Sequence, residues 1–200
     1  MNVQNATAKE TIKNYLLLTW IIKNQKIREF TQRFIHERVP DYFMWVPASV
    51  SGKYHPMDSL GDGGLVRHSM AVAITAQAIC ELEYLQVTPI DKSFIIAACL
   101  LHDTFKQGRN ESGTTVRTHP NIAAQEIYNF GKEIGDEKTG KAIATLVVSH
   151  MGQWGNQKPG SRVQFIVHLA DFIASRRWIT MDYTDAIEKA KRAKEALDHK

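Results

Sequence analysis

The sequence is short of several things, and each shortage removes a class of protein. Only Cys80 and Cys99 occur. Two cysteines within apolar, helix-like patterns build no disulfide framework and favour a reducing cytosol. Neither stands in a CxxC arrangement, so cysteine-ligated zinc is excluded. The longest apolar run is Phe94-Ile-Ile-Ala-Ala-Cys-Leu-Leu101, far below the roughly 18 residues that a membrane helix needs. The opening Met-Asn-Val-Gln-Asn-Ala-Thr lacks the basic start and apolar core of a secretion signal. A cytoplasmic protein with no membrane contact is therefore expected. No segment alternates apolar and polar residues as a half-buried strand does; any small hairpin would have to hide in residues 49–55. There is no internal repeat and no low-complexity tract. The net charge is only +4, without the concentrated basic stripe of a nucleic-acid-binding surface. That balance permits anionic substrates. The lysines of residues 188–200 are interspersed with Glu188, Glu195 and Asp198, as on a solvated helix face.

What remains is 200 residues, 44% of them hydrophobic, which suits one globular domain with a real core. Ile12, Leu16, Trp20, Ile27, Phe30 and Phe34 recur at spacings near three and four, predicting one long helix or two over residues 7–37. Residues 40–64 are broken by prolines and glycines and read as a long loop, a feature that is usually functional inside a compact domain. Helices follow over residues 65–85 and from Thr88, an N-cap with Pro89 at the first helical position, to about Gln107. Residues 109–117 form a polar loop. Pro120 opens a helix that Gly131 should stop, and further helices span residues 138–150, 162–178 and 182–197. The fold class expected is all-α, a single bundle of about six to seven helices. Residues 1–50 form an N-terminal helical segment packed on a core of residues 51–200.

The chemistry-bearing residues cluster at helix edges. His102 and Asp103 follow directly on the most apolar stretch, where a buried carboxylate is expensive without a compensating charge. A buried ion pair, or a histidine serving a helix C-terminus, would also account for this dipeptide alone. His68, His119, His150 and Asp171 each stand on or beside another amphipathic segment. In a helical bundle these groups can converge, and imidazole with carboxylate is the donor set of Zn, Mn, Fe or Co. A carboxylate between two histidine sets can bridge two ions about 3.5–4 Å apart, the arrangement that clamps attacking and leaving oxygens in phosphoryl displacement. Lys106, three residues past Asp103, shares its helix face. His168, three before Asp171, reads as a residue supporting a ligand. His36, His55 and His199 read as ordinary core or surface histidines.

The order of these residues carries a resemblance. Gly63-Gly64-Leu65-Val66-Arg67-His68-Ser69-Met70 is followed by Leu101-His102-Asp103-Thr104-Phe105-Lys106. Then come Thr118-His119-Pro120, Ser149-His150-Met151-Gly152 and His168-Leu169-Ala170-Asp171. From about Tyr54 to Arg176 the chain resembles the HD-domain metal-dependent phosphohydrolase superfamily. It is most similar to the branch with two extra histidines between the HD pair and the final aspartate. That branch includes exoribonuclease-like proteins of the YhaM type and the HD-GYP cyclic-dinucleotide phosphodiesterases. The resemblance implies His68, His102, Asp103 and Asp171 as ligands of one metal, Asp103 as the bridge, and His119 and His150 completing a second site. Lys106 matches the lysine that faces substrate phosphate. Phe105 stands where the family commonly has a small glycine. Met151 stands where a further histidine is common, which leaves the second metal one ligand short.

The cofactor expected is therefore two divalent ions, with Mn, Fe, Zn, Co and Ni as candidates and Mg the poorer fit. The expected partner is a phosphorylated small molecule or a nucleic-acid end. Cations for its phosphates are sought among Arg109, Arg117, Lys158, Arg162 and Arg176. Arg67 points about 100° from its ligand neighbour and reads as a surface residue. Trp154, in a Gly-rich loop after His150, could stack on a base or fold onto the core. The reading is an enzyme in which Asp103 and Lys106 serve catalysis of phosphate-ester hydrolysis. Its rivals are a single-metal nucleotidase or triphosphohydrolase, a non-catalytic nucleotide-binding module, and an oxygenase using mixed-valent iron.

Overall fold

Capping side chains set four of the helix starts. Asn24, Thr88, Asp136 and Ser161 each accept a hydrogen bond from a backbone N–H three residues on, and Pro89 follows Thr88 at a position that needs no donor. Each such cap is worth about 1 kcal/mol. The computed structural model describes residues 8–198 and is helical, with no strand among the described residues. Its helices are α1 (Ala8–Leu18), α2 (Gln25–Arg38), α3 (Gly64–Cys80), α4 (Pro89–Leu101), α5 (His119–Glu133), α6 (Glu137–Val147), α7 (Arg162–Ala174) and α8 (Thr184–Asp198). There is one more than the upper expectation. The first periodic segment splits because a short 3-10 turn ends α1 and Asn24 caps a fresh helix.

The apolar run of α4 is the centre of the core: every residue from Ile95 to Leu101 is fully buried. Helices α2, α3, α6 and α7 pack around it. Each large aliphatic side chain so buried contributes about 1.5–3 kcal/mol. Two tyrosines tie N-terminal segments to this centre. Tyr15 donates to the Leu100 carbonyl at 2.8 Å. Tyr42 donates to the Gly108 carbonyl at 2.7 Å and accepts from the Gln107 N–H at 3.1 Å.

Five helix ends differ from the periodicity, two of them because α3 stops at Cys80 and α6 at Val147, short of residues 85 and 150. Regular helix stops at Leu101, because the side chains of His102 and Thr104 take the Cys99 and Leu101 carbonyls. The chain then descends through turns, with Lys106 N–H on Asp103 O and Gly108 N–H on Phe105 O. Helix α7 ends at Ala174 rather than near residue 178, since Ser175 Oγ and Arg176 Nε both fold back onto the Phe172 carbonyl. Gly131 does not stop α5, which runs on to Glu133 and turns at Gly135, φ +74°. Instead Gly131 lies against Gly140 of α6. A Cβ at Gly131 would stand 2.9 Å from Gly140 Cα, and one at Gly140 would stand 2.9 Å from the Ile127 carbonyl oxygen. These glycines let α5 and α6 close as an antiparallel hairpin, and that hairpin brings the start of α5 beside the end of α6.

The long loop before α3 is an ordered wall. Ala48 N–H donates to Ser59 O, and Leu65 N–H to Val46 O. A Cβ on Gly64 would meet Ser59 O at 2.2 Å, so only glycine permits this approach. Arg67, read as a surface residue, is half-buried and turned inward. Its guanidinium donates to the Asp58 and Leu60 carbonyls, and Tyr183 donates to the Asp58 carboxylate at 2.9 Å.

Gly140→Val is expected to lower stability by about 1–3 kcal/mol through overpacking. That exceeds the few tenths of a kcal/mol of helix propensity gained when β-branched valine replaces glycine. The denaturation midpoint checks this, and an unchanged midpoint would show that α5 and α6 can part freely.

Candidate metal centre

Three helix ends and two helix faces deliver six polar side chains to one buried point. His102 follows α4 and Asp103 the next residue; His68 lies in the second turn of α3, and Asp171 in the last turns of α7. The α5–α6 hairpin adds His119 from its opening residue and His150 from the turns just past Val147. Asp103 is 2% exposed, and all four histidines are buried.

The geometry has two sides, and Asp103 stands between them. Its Oδ2 lies 3.7 Å from His68 Nε2 and 3.5 Å from His102 Nε2, while Asp171 Oδ1 lies 3.1 and 3.7 Å from the same nitrogens. Its Oδ1 lies 3.0 Å from His119 Nε2 and 3.6 Å from His150 Nε2. Three triads could each hold an ion: His68, His102, Asp103; His102, His150, Asp171; and Asp103, His119, His150.

Backbone carbonyls fix the tautomers. Nδ1 of His102, His119 and His150 meets the carbonyl three residues back, of Cys99, Val116 and Val147, at 2.7–2.8 Å. A carbonyl only accepts, so each Nδ1 carries a proton, and in the neutral ring each Nε2 directs a lone pair inward. His119 and His150 then oppose two lone pairs 3.2 Å apart. His102 Nε2 and Asp103 Oδ1 are buried without a hydrogen bond. Converging lone pairs, orphaned buried acceptors and two carboxylates are what a divalent cation relieves, so the donor set fits one.

The charges agree. Burial would raise the Asp103 carboxyl, but the Lys106 ammonium, 2.5 Å away, and the His102 imidazole outweigh it and hold it well below its ordinary value. Asp171 is likewise lowered against its burial, through His68 and His102. Burial pushes His68 and His150 down, which keeps them neutral. His102 differs: burial depresses it, yet Asp103 and Asp171 win and raise it.

A cavity of about 540 Å³ opens onto this point and reaches Asp103, Lys106, His119 and Asp171. Of the cations sought for substrate, only Arg176 joins Lys106 in its lining, and Trp154 joins them. Arg109 is exposed and pairs with Glu126 at 2.7 Å; Arg117, Lys158 and Arg162 are exposed and line no part of the cavity. Thr115 and Trp154 of the same loops do line it, so nearness in sequence did not decide which side chains face the cavity. Phe105, in place of a small residue, is buried in the core, and Lys106 still meets Asp103. His168 Nδ1 donates to the His150 carbonyl at 2.7 Å, over Gly152, where a Cβ would strike the ring. His36 is exposed on α2, and His199 lies outside the described residues. His55 is the residue that sequence reasoning missed. Its ring packs edge-on against His68, centroids 5.3 Å apart, and lines the cavity. Burial pushes its imidazole down to about 3. The available signal was its place in the long loop.

A family model described as "HD domain" matches residues 65–176, more than half of the chain, and takes in all six converging residues. The chain belongs to the HD domain family. It is also 30% identical over 120 residues to the dihydroneopterin 2′,3′-cyclic phosphate phosphodiesterase of Methanocaldococcus jannaschii. That alignment covers 55% of this chain and 45% of that protein, so the chain spans less than half the length of this relative. No solved structure gives a significant match. No helix among the described residues of this HD protein is long and apolar enough to cross a membrane.

Because a cation on His102 Nε2 must displace the proton that Asp103 and Asp171 favour there, metal affinity should rise with pH through the raised His102 pKa. Near pH 6.5, the ordinary histidine value, Mn²⁺ binding should release protons. Calorimetric titration in buffers of different ionisation enthalpy measures this, and binding that releases none would contradict the arrangement.

Proposed function

We propose that the protein is a dinuclear metal-dependent phosphohydrolase that cleaves a phosphate ester of a nucleotide, a cyclic nucleotide or a nucleic-acid end. The observation that carries this reading is the two-sided Asp103, with one oxygen toward His68 and His102 and the other toward His119 and His150. Mn, Fe, Zn, Co or Ni held between these donors would supply ionised water at neutral pH and neutralise charge at phosphorus. Hydrolysis forms one P–O bond to water oxygen and breaks the ester P–O bond, with the water proton passing to the leaving alkoxide. Lys106 swings its ammonium on a flexible stem from Asp103 to a phosphoryl oxygen, where it offsets the charge that grows in the transition state. Asp103 and Asp171, both ionised, and the inward Nε2 lone pairs keep the centre competent for a dication.

The cavity volume is that of a small-molecule site, which favours a small phosphorylated substrate. Trp154 is about half exposed and backed by Phe172, with rings parallel within 5° and centroids 5.6 Å apart. Such a supported indole presents a flat face to a planar group. The relative named above acts on a 2′,3′-cyclic phosphate, and a cyclic phosphodiester carrying a planar heterocycle is the substrate class we favour. A single-metal nucleotidase is the second reading. It draws support from the smaller His119, His150, Asp103 donor set and from Met151, which lines the cavity where a histidine would add a donor.

Hydrolysis assays in Mn²⁺ across mononucleotides, 2′,3′-cyclic and 3′,5′-cyclic phosphates, cyclic dinucleotides and short RNA test the assignment. The expected result is turnover of cyclic phosphodiesters. Activity on none would leave a nucleotide-binding module instead. Asp103→Ala should remove both metals and all turnover, and full activity with metal retained would sink the dinuclear reading. Mild chelation should release one ion per chain first, from the three-donor side; two equally tight ions would contradict the ranking. Trp154→Ala should weaken binding of a base-bearing substrate by roughly 1–3 kcal/mol while sparing hydrolysis of a nitrophenyl phosphodiester. Equal losses on both would mean that Trp154 only holds its loop.

A further inference from the structure

His55 lies outside the stretch that the HD family model matches, yet its ring shares the cavity wall with Asp103 and Lys106. It differs from the histidines proposed as ligands. His102, His119 and His150 each spend Nδ1–H on a backbone carbonyl and aim Nε2 at carboxylate oxygens. No hydrogen bond among the described residues uses either nitrogen of His55, and its Nδ1 is enclosed without a partner. His55 is also absent from the three triads that could hold an ion. An enclosed nitrogen tolerates a lone pair better than an unpaired N–H. The proton therefore belongs on Nε2, the edge left to the cavity. A neutral imidazole so arranged is a donor, where the ligand histidines are acceptors.

The loop that carries His55 is pinned on both sides. Arg67 holds the Asp58 and Leu60 carbonyls, Tyr183 holds the Asp58 carboxylate, and the Ser59 carbonyl is held by Ala48 N–H and crowded against Gly64. Such fixed placement suits a group whose partner arrives from solution. The anion-binding group beside it is Lys106.

We propose that His55 is a substrate-contacting residue that donates Nε2–H to a non-bridging oxygen of the bound phosphate, alongside Lys106. This deepens the phosphohydrolase reading and rests on it for the placement of phosphate at the metals. A competing role is to hold the His68 ring, which has no hydrogen bond at its own Nδ1. The two roles separate experimentally. His55→Phe keeps an aromatic ring against His68 and removes the donor, whereas His55→Gln keeps an N–H donor and removes the ring.

The test uses Mn²⁺-loaded protein, with metal content by elemental analysis and inorganic phosphate affinity by calorimetry. His55→Phe should keep the wild-type Mn²⁺ content and bind phosphate about tenfold to a hundredfold more weakly, as expected for a hydrogen bond to a charged group. His55→Gln should recover part of that loss. Unchanged phosphate affinity in His55→Phe would overturn the proposal, as would loss of Mn²⁺ from it, which would make His55 a support for the metal ligands. A wild type that binds no phosphate would overturn it too. If phosphate binding behaves as expected but the wild type hydrolyses none of the esters above, the enzymatic reading fails and the His55 contact stands. If esters are hydrolysed and His55→Phe binds phosphate normally, the reverse holds.

Discussion

Everything near the centre of this fold follows from one buried carboxylate. Asp103 is removed from water at a cost that a lone carboxylate could not sustain. It survives as an anion because Lys106 and His102 stand beside it and His119 approaches from the other side. Those neighbours are themselves costly to bury, so the arrangement is stable only if each group is held in a set orientation. Backbone carbonyls provide that hold for three imidazoles, and they come from the last turn of a helix or the turn before one. The ends of α4 and α6 both face the cluster. Helix C-termini carry partial negative charge, which adds to two carboxylates and makes the point more welcoming to a cation.

The rest of the fold places those ends. A fully apolar α4 fixes the depth of His102 and Asp103, and Tyr42 fastens the turns that follow. The Gly131–Gly140 contact decides how closely α5 and α6 lie, and hence whether His119 and His150 can meet across 3.2 Å. His168 adds a further restraint by fastening the His150 carbonyl. A side chain at Gly152 would occupy the space of that imidazole. Distant small residues and a carbonyl contact thus act on the cluster through the positions of helix ends.

The cluster was legible in the sequence because its chemistry is rare. Few contexts put imidazole and carboxylate at the end of an apolar helix, and the order of the six residues narrows them further. Caps were legible for a similar reason: Thr88-Pro89 states a helix start locally. Gly131 was misread because local rules give glycine a helix-ending meaning, and only the partner helix reveals its packing role. Arg109, Arg117, Lys158 and Arg162 were picked by nearness in sequence, which says nothing about the side of a helix end on which a loop leaves. Arg67 was judged by its angle from His68, but a half-buried guanidinium can turn toward loop carbonyls. His55 was passed over because a single histidine in an irregular segment has no period and no motif to mark it.

The cavity itself joins two kinds of sequence. All six converging residues lie within residues 65–176, the stretch that matches the HD family model, whereas Ala48, Tyr54 and His55 of the facing wall lie before it. A laminated edge bridges the two. The Arg176 guanidinium sits 4.3 Å from the Phe172 ring centroid and 6.0 Å from that of Tyr54, and Phe172 stacks on Trp154. This stack holds Arg176 in the wall, where its hydrogen bonds go to the Phe172 carbonyl and Ser175. Arg67, Asp58 and Tyr183 anchor the loop of the facing wall from behind.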